Sequence, residues 1–468
     1  LRGPRAAELF AELKPGLLSR LSQATKPAEA LLAFDGFLGG LPAGVQLFSL
    51  LKINPQLADL LIDIVSTSPA LAAHLSRNAG VFDAVIGGDF FSDWPGEEAL
   101  AQNLSEVLEA EGDYEARLDT CRRWAREWHF RVGVHHLRGL IDAPTTGTQY
   151  ADLARAVLRA LWPIVIAEFS GRHGPPPGRG AVLLGMGSLG ALRLTASSDL
   201  DMIVIYDPDG VENSDGKRPL ATRQYYARLT QAMITAMKAP MAHGKLYEVD
   251  MRLRPSGNQG PVATSLASFE TYQKEQAWVW EHLALTRADP VVGPEDLMQD
   301  VSALCEQILR QPRDRFQVLH QVADMRTRLA AAKGAGGIWD AKNGPGGMQD
   351  IELLAQGGAL LSGIGAWDLT QGLDAAAAND VITVQQAEML KNAYATYWSL
   401  LSATRLLSPA ILQRDALGQA GAAFLARALN CNDLDVFEAD LEQTYSQAAD
   451  IINSSLAAYA VNPEKSEQ

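Results

Sequence analysis

The amino-acid sequence predicts a mostly helical α+β protein, with a mixed β-sheet near the middle of the chain and helices before and after it. Ahead of the sheet, Leu and Ala recur at helical spacing, as in the range 57–64. The pattern then changes to short runs rich in residues that favour strands, and 199–207 is the clearest of these. From Pro294 to about Ala460 the helical spacing returns.

The length and composition predict several domains with ample material for a core. The chain has 468 residues, of which 47% are apolar and 20% charged, and about two to four domains are expected at this length. We place the boundaries where the pattern changes. Residues 1–113 are expected to form an N-terminal helical region, 114–293 to contain the sheet, and 294–462 to form a C-terminal helical bundle. Residues 463–468 are a polar tail that we expect to be disordered.

Composition also excludes several classes of protein. The net charge of −15 argues against nonspecific binding to nucleic acid, which depends on Lys and Arg neutralising phosphates. Cys121, Cys305 and Cys431 lie far apart in sequence, which predicts neither disulfides nor a zinc site and favours a reducing cytoplasm. The uncharged stretch over 36–51 is shorter than the roughly 20 residues that a membrane helix needs, so no membrane anchor is predicted. Because the chain begins at Leu1 without a signal peptide, we expect it to be part of a longer protein.

Helices dominate the first 170 residues. Ser68 followed by Pro69 is typical of an N-cap and first-turn pair, and it predicts a helix over 70–77. Longer apolar patterns predict helices over 114–140 and 148–168.

The pattern changes after these helices. Three consecutive prolines and several glycines predict a loop over 170–180. Short β-favouring runs predict strands over 181–184 and 199–207, with one short helix or turn between them. A helix is predicted over 223–239. Apolar residues at 249, 251 and 253 alternate with charged residues at even positions, which predicts a strand over 245–255 with one densely charged face.

Three aspartates on the predicted strands form a candidate metal site. Side chains at i and i+2 of a strand share a face, so Asp199 and Asp201 are expected to project together, with Cα atoms about 6.6 Å apart. Asp250 is expected in the middle of the charged face of the later strand. Convergent carboxylates of this kind can hold two metal ions for displacement at phosphorus. Mg²⁺ is the expected metal because it prefers oxygen ligands and phosphates, and Mn²⁺ could substitute.

Residues around the aspartates are suited to binding phosphate. Gly185, Gly187 and Ser188 follow a predicted strand and could hold a triphosphate through backbone N–H groups and a hydroxyl. Ser198 directly precedes the aspartate pair. Arg252 and Arg254 could neutralise phosphate oxygens. An equally weighted alternative for both arginines is ion pairing with Glu248 and Asp250 across the sheet.

Several other residues carry a weaker signal. An isolated Asp-x-Asp is usually a solvated strand edge, and only the surrounding glycine turn and the third aspartate favour catalysis here. An aromatic-rich helix is more often core than an adenine pocket. Asp350 and Glu352 favour a helix N-terminus or orient basic groups at the cleft. The aromatic-rich segment contains Trp278, Trp280 and His282. Two histidines without an acidic partner at ligand spacing are predicted to be structural, and these are His135 and His136.

The glycine turn and the aspartate strand together resemble a known superfamily signature. Gly187-Ser188 with Ser198-Asp-Leu-Asp201 is similar to the signature of the DNA polymerase beta-like nucleotidyltransferases. Longer segments resemble one branch of it, the glutamine synthetase adenylyltransferase family. These segments are 41–48, which resembles the helical region between that family's two catalytic halves, and 184–191, 195–201, 247–257, 277–285 and 346–352.

The resemblance implies a cytoplasmic enzyme that transfers AMP from ATP to a tyrosine hydroxyl of glutamine synthetase and releases diphosphate. It implies glutamine synthetase and a PII-type signalling protein as partners, with neither nucleic acid nor membrane. The family carries an AMP-removing and an AMP-attaching domain, and segment 277–285 looks like the AMP-attaching copy. Two alternatives stay open: phosphorolytic removal of AMP to give ADP, and a non-catalytic regulatory module. Ser188, Ala191 and Arg193 depart from the residues common in the family, so a changed electrostatic environment near the phosphates is expected.

Overall fold

The computed structural model describes residues 4–24, 26–39, 44–78, 89–334, 336–365 and 368–460. The predicted polar tail at 463–468 and the first residues of segment 41–48 lie outside these ranges. In the described residues most of the chain is helical and the strands form one small mixed sheet, as predicted. The helices before the sheet are α1 Pro4–Leu21, α2 Pro27–Gly39, α3 Gly44–Ile53, α4 Pro55–Thr67, α5 Pro69–Arg77, α6 Gly96–Glu109, α7 Tyr114–Leu137 and α8 Ala143–His173.

The start of α5 confirms the expected cap. The Ser68 side chain accepts a hydrogen bond from the backbone N–H of Leu71 at 3.4 Å, and Pro69 occupies the first turn. The Ser68 hydroxyl also donates to the carbonyl oxygen of Leu406 at 2.7 Å. This single buried serine therefore begins a helix and joins it to the helices near the C-terminus.

Helix α8 is longer than predicted at both ends. Asp142 caps its start by accepting from the N–H of Thr145 at 2.8 Å, and Pro144 fits the first turn. The helix carries Pro163 in its interior and continues to His173, inside the segment predicted to be a loop. Gly174, at φ 85°, ends it.

The sheet has the order β3-β2-β1-β5 in the described residues, and β4 also pairs with β2. β1 is antiparallel to β2 and to β5, whereas β3 and β4 are both parallel to β2. β4 and β5 are short strands that the sequence pattern did not predict. The strand bounds are β1 Gly180–Gly185, β2 Leu200–Asp207, β3 Val249–Asp250, β4 Ala263–Ser265 and β5 Asp289–Val292.

The strand predicted over 245–255 is wrong in extent, because only Val249 and Asp250 pair with β2. The Asp250 carboxylate accepts a hydrogen bond from the backbone N–H of Arg252 at 2.8 Å, which turns the chain immediately after the strand. Farther along β2, β4 occupies the pairing positions. Asp250 is therefore the last residue of a two-residue strand and does not lie in the middle of a long charged face.

The helices that follow Pro294 confirm the predicted return to a helical pattern. The predicted helix over 223–239 is also confirmed, shifted by one residue. The helices after β1 are α9 Gly187–Gly190, α10 Thr222–Lys238, α11 Leu266–Glu275, α12 Val279–Leu285, α13 Glu295–Leu309, α14 Arg315–Lys333, α15 Met348–Ser362, α16 Leu369–Ala378, α17 Val384–Leu407, α18 Gln419–Ala428 and α19 Leu434–Leu456, and short 3₁₀ helices lie at Asp89–Phe91, Gly257–Gln259, Arg414–Ala416 and Ala457–Tyr459.

Both faces of the sheet are buried, which explains the uninterrupted apolar run of β1. Val182 and Leu184 join one apolar core, and Ala181 and Leu183 join the other. The first core also includes side chains of α1 to α5 and of α13 to α19, and the second includes those of α6 to α8 and α10. Helices from both ends of the chain therefore share a core with the sheet. None of the described helices is both long and apolar enough to cross a bilayer.

Candidate active site

The end of β1 and the start of β2 bring the glycine turn against one aspartate. The backbone N–H of Met186 donates to the carbonyl oxygen of Asp201 at 2.9 Å. Gly187 has φ +54°, and a Cβ at this position would lie 2.6 Å from Asp201 Oδ2. A side chain would therefore strike the carboxylate, so this turn requires glycine for both its conformation and its close approach.

The second aspartate is brought alongside by the parallel pairing of β2 and β3. Asp201 and Asp250 are direct register partners, and the N–H of Leu200 donates to the carbonyl oxygen of Glu248 at 2.9 Å. Neighbouring strands lie about 4.8 Å apart, so two residues remote in sequence become adjacent acids. The two-residue strand β3 therefore brings Asp250 next to Asp201, as predicted.

Asp199 does not lie on a strand, contrary to the prediction, because β2 begins at Leu200. Asp199 is exposed at the entrance to the strand, whereas Asp201 is half-buried. It is still close enough for its negative charge to raise the pKa of Asp201. The charges of the three aspartates therefore act on one another, but Asp199 and Asp201 do not share one face of a strand as predicted.

The cluster concentrates negative charge in a partly desolvated place. Burial, followed by the charge of Asp250 and more weakly that of Asp199, raises the pKa of Asp201 to about 6, while the charge of Lys342 opposes this rise. For Asp250, partial burial raises the pKa, but hydrogen bonds from Arg252 outweigh it and the pKa is lowered. An opposite charge placed between the carboxylates would relieve their repulsion.

The donor set suits a hard divalent cation, but one donor is already occupied. The Asp250 carboxylate accepts from Arg252 Nε at 2.7 Å as well as from the backbone of that residue. As they stand, no three His, Cys, Asp or Glu side chains of the described ranges are grouped closely enough to hold a metal ion. Mg²⁺ prefers carboxylate oxygens and phosphates. Metal binding by all three aspartates would therefore require their carboxylates to move closer together, and Asp250 would share its oxygens with Arg252 or exchange Arg252 for the ion.

The residues predicted to bind nucleotide have contacts of different kinds. Gly185 is the buried last residue of β1, and Ser188 lies half-buried in the short helix α9. The Ser198 hydroxyl accepts from the N–H of Thr195 at 2.9 Å and so holds the turn before β2. Of the two arginines, Arg252 pairs with Asp250, as the alternative proposed.

The ion-pairing alternative does not hold for Arg254 or for Glu248. Arg254 donates to the carbonyl oxygen of Met251 at 2.7 Å and so braces the turn that follows β3. Glu248 pairs with Lys238 at 3.1 Å and also with Lys245, so its partners are lysines rather than the two arginines.

The helices after the sheet bring ion pairs to this site that sequence spacing did not reveal. Glu352 on α15 pairs with Arg287 at 3.2 Å, and it accepts from the Tyr394 hydroxyl at 2.9 Å. The carbonyl oxygen of Arg287 would lie 1.8 Å from a Cβ at Gly190, within the turn that carries Gly187. Helix α15 is thus fastened to the glycine turn. The only sequence signal was the acidic Glu352 within segment 346–352.

Both readings of Asp350 and Glu352 hold. Asp350 lies in the first turn of α15, accepts from the N–H of Gly346 at 3.0 Å and pairs with Arg326 at 2.7 Å. Glu352 orients Arg287 next to the site. Each acid therefore stabilises the fold, and only Glu352 contacts a residue that adjoins the glycine turn.

Arg193, which was expected to alter the field near the phosphates, faces the helical region. Its guanidinium lies over the rings of Tyr394 and Trp398, at 5.8 and 5.3 Å from their centroids. This residue therefore binds the turn after β1 to α17.

The aromatic segment is only partly core. Trp278 is 63% exposed and precedes α12, whereas His282 is buried and hydrogen-bonds the carbonyl oxygen of Gln273 at 2.9 Å. The prediction of a core position is wrong for Trp278. His135 hydrogen-bonds the carbonyl oxygen of Phe90 at 2.8 Å, which confirms its structural role.

The fold and the site together define the class: a mostly helical α+β protein with a carboxylate cluster at the start of a central strand. Comparison with known proteins identifies the family. Residues 58–303, more than half of the chain, match the family model of glutamate-ammonia ligase adenylyltransferase. The chain belongs to this family, which confirms the resemblance. Residues 318–458 match a second model, described as GlnD PII-uridylyltransferase.

Similar proteins come from several bacteria and carry the name bifunctional glutamine synthetase adenylyltransferase/adenylyl-removing enzyme. The protein of Mesorhizobium japonicum is 41% identical over 94% of this chain and 45% of its own length. That of Brucella melitensis is 45% identical over 75% of this chain and 36% of its own length. That of Xanthobacter autotrophicus is 38% identical over 98% of this chain and 47% of its own length. The chain spans about half the length of the curated relatives it matches.

Proposed function

We propose that this chain transfers AMP from ATP to a tyrosine hydroxyl of glutamine synthetase and releases diphosphate. The observation that carries the proposal is the contact of the Gly187 turn with Asp201, next to the register partner Asp250. This arrangement sets a glycine turn, whose backbone could bind phosphate, beside carboxylates suited to a divalent cation. The names of the relatives supply the transferred adenylyl group and the protein that accepts it, and ATP is proposed as the donor.

The proposal includes a polymerase beta-like nucleotidyltransferase fold for the sheet region. The mixed sheet, with its acidic pair at the start of β2 and its glycine turn after β1, supports it. We retain the proposed boundaries of 1–113, 114–293 and 294–462. The catalytic function is placed in the second of these regions.

Asp199, Asp201 and Asp250 would hold Mg²⁺, or Mn²⁺ in its place. When bound, the metal would neutralise phosphate charge and favour displacement at the α-phosphorus. The chain's own contribution is to hold the three carboxylates together in a partly buried place, where burial and, after it, their mutual repulsion raise the pKa of Asp201. Arg252, released from Asp250, would then be free to bind a phosphate oxygen.

The transfer step requires a proton acceptor close to the tyrosine. The phenol oxygen attacks the α-phosphorus, the bond from that phosphorus to the bridging oxygen breaks, and diphosphate leaves with the electron pair. Because tyrosine has an ordinary pKa of about 10, its proton must be removed as the new bond forms. A bound metal ion, or a nearby carboxylate such as Asp250, would supply this activation. Gly185, Gly187, Ser188, Arg252 and Arg254 are proposed to orient the nucleotide, and Ser198 to hold the turn that orients Asp199.

Removal of AMP by phosphate, giving ADP, is the second candidate, because the relatives are named for both activities. It uses the same cluster in the opposite chemical direction. The third reading, a non-catalytic regulatory module, predicts no Mg²⁺-dependent nucleotide binding by calorimetry.

The decisive experiment is to mix the chain with unmodified glutamine synthetase and MgATP and to weigh the product. We expect a mass increase of one AMP per acceptor subunit, and near-complete loss of this transfer in Asp201→Asn. The matched control is Asp209→Asn, an exposed turn residue beyond the other end of β2, where asparagine tolerates the left-handed φ of 41°. Undiminished transfer by Asp201→Asn would contradict the proposed site. Modified glutamine synthetase with phosphate tests the reverse reaction separately.

Regulation and location complete the proposal. The match of residues 318–458 to a PII-uridylyltransferase model supports a link to a PII-type signalling protein. Glutamine synthetase is the proposed protein substrate, in the cytoplasm.

A further inference from the structure

A cavity of about 220 Å³ lies directly beside Asp199. Its walls come from α7, from α8, from the turn that precedes β2 and from the segment that precedes β3. Ser198 and Asp199 are both part of the wall, so the cavity touches the turn that carries the first of the three aspartates. Among the described residues that line it, none belongs to the glycine turn at 185–188. The cavity is therefore a separate space that adjoins the proposed position of the phosphates.

Three aromatic rings line this cavity, and they belong to His129, Tyr150 and Tyr247. The rings of His129 and Tyr150 are in contact, with centroids 4.6 Å apart. His129 donates from Nε2 to the carbonyl oxygen of Ala196 at 2.9 Å, which holds its ring in place. Tyr150 is only 3% exposed and lies deep, whereas Asp199 is exposed at the outer end. Aromatic faces in such a wall can stack on a planar ligand.

The charges of the wall cancel. It contains two cations, Arg126 and Lys245, and two carboxylates, Asp199 and Glu248. Lys245 pairs with Glu248, and Arg126 donates to the carbonyl oxygen of Lys245 at 2.9 Å. Burial and, after it, the charge of Arg126 lower the pKa of His129 to about 4, so this ring is neutral at pH 7. A wall without net charge offers little attraction to phosphates and suits an uncharged ligand group.

The size of the cavity limits the ligand to one ring system. Pockets that hold drug-sized molecules have volumes of roughly 300–1,000 Å³, so a cavity of about 220 Å³ takes part of a nucleotide rather than all of it. The base is the part of a nucleotide that is both planar and uncharged. The phenol ring of an acceptor tyrosine is planar too, but its hydroxyl is at the far end of the side chain. Insertion would carry this hydroxyl towards Tyr150 and away from Asp199.

We propose that this cavity binds the base of the nucleotide, with the phosphates outside it, between Asp199 and the glycine turn. His129, Tyr150 and Tyr247 supply the aromatic surface for the base. Helices α7 and α8, which precede the sheet in sequence, therefore take part in nucleotide recognition. This inference rests on the proposed function, which supplies the nucleotide.

The test compares MgATP with inorganic triphosphate and Mg²⁺, which carries the phosphates without the base, by calorimetric titration. Ala125 is a buried wall residue of α7, and Ala125→Leu fills the cavity with a good helix former. We expect this variant to bind MgATP at least about tenfold more weakly, as the loss of base stacking predicts, and to bind triphosphate within about twofold of the unaltered chain. The matched control is Ala99→Leu at an exposed position of α6, which should change neither affinity.

Two substitutions at Tyr247 test the aromatic surface directly. Tyr247→Leu removes a ring and should weaken MgATP binding about tenfold, whereas Tyr247→Phe keeps the ring and should bind within about twofold of the unaltered chain. These variants decide the question by themselves if Ala125→Leu loses triphosphate binding as well. Equal affinities of the unaltered chain for MgATP and for triphosphate with Mg²⁺ would overturn the proposal. So would an MgATP affinity that neither Ala125→Leu nor Tyr247→Leu changes by more than twofold.

AMP transfer separates this inference from the proposed function. Base-dependent binding of MgATP that both variants weaken, without AMP transfer to glutamine synthetase by the unaltered chain, would refute the proposed function and leave the base site standing. AMP transfer together with an MgATP affinity that neither variant changes would do the reverse. A raised KM for glutamine synthetase in Tyr247→Leu, with an unchanged KM for ATP, would assign the cavity to the acceptor phenol and also overturn the proposal.

Discussion

The pair between Glu352 and Arg287 should contribute measurably to the stability of the whole chain. We choose Glu352→Gln, because glutamine has the same shape and can still accept from the Tyr394 hydroxyl. The substitution removes the charge that compensates the guanidinium of Arg287, whose side chain is only 9% exposed, whereas that of Glu352 is 22% exposed. Removing one partner of a buried pair costs about 3–5 kcal/mol. Because Glu352 is partly exposed and one hydrogen bond survives, we expect about 2–3 kcal/mol.

This free energy converts into a modest shift of the melting temperature. An unfolding entropy of about 2.1 cal/mol/K per residue, over 468 residues, amounts to roughly 1 kcal/mol/K if the chain unfolds cooperatively. The melting temperature should therefore fall by about 2–3 °C, as measured by scanning calorimetry. Glu306→Gln is the control, because it breaks a pair with Arg310 whose side chains are 61% and 71% exposed and should cost at most about 1 kcal/mol.

The pH dependence provides a second check on the same pair. Burial raises the pKa of Glu352, but the charge of Arg287 outweighs it and the pKa is lower than that of an exposed glutamate. A group whose pKa is lowered by folding stabilises the protein above its unfolded pKa and loses this contribution as the pH falls through the folded pKa. The difference between the chain and Glu352→Gln should thus be full at pH 7 and shrink below about pH 4.5. Equal effects of Glu352→Gln and Glu306→Gln at pH 7 would refute the reasoning.

Three further outcomes follow from single residues. Because folding raises the pKa of Asp201 to about 6, its ionised form destabilises the fold above that pH. Asp201→Asn should therefore raise the free energy of unfolding at pH 7 by up to about 3 kcal/mol, and this gain should vanish below about pH 4 in urea titrations. A lower stability of the variant at pH 7 would contradict this prediction. Gly187→Ala places a Cβ 2.6 Å from the Asp201 carboxylate and should reduce AMP transfer at least about tenfold, so transfer equal to that of the unaltered chain would show that the contact is unimportant. Ser68→Ala removes the cap of α5 and should cost about 1–2 kcal/mol of unfolding free energy in urea, against a negligible change for Ser399→Ala on α17.

Much of the fold could be predicted because helices are encoded by local patterns. The cap at Ser68 and the helix over 223–239 depend on residues only a few positions apart, and both are observed within one or two residues. The prediction of a strand over 245–255 was wrong in extent, because alternation shows which face a strand would bury but not how many of its residues pair with another strand. The Asp250 side chain turns the backbone after two paired residues.

The candidate site was predictable in its residue types but not in its surroundings. The glycine turn and Asp201 are close in sequence, so their meeting follows from two adjacent antiparallel strands. Glu352 comes from a helix far along the chain and Lys342 from the segment that precedes this helix, and no periodicity indicates that they lie near the turn. The ion pair between Asp250 and Arg252 was predicted only as an alternative. It depends on the turn that follows the two-residue strand β3, and the sequence pattern did not predict that turn.

The sequence by itself determined the helical, α/β and helical order of the chain, the glycine turn and the three aspartates. These features depend on backbone preference and on spacing, which act over a few residues. Only the tertiary structure decided that Asp201 and Asp250 are register partners, that Asp199 stands outside the strand, and that α15 is fastened to the turn. Each of these depends on contacts between segments remote in sequence, whose geometry is set by packing of the shared cores rather than by local pattern.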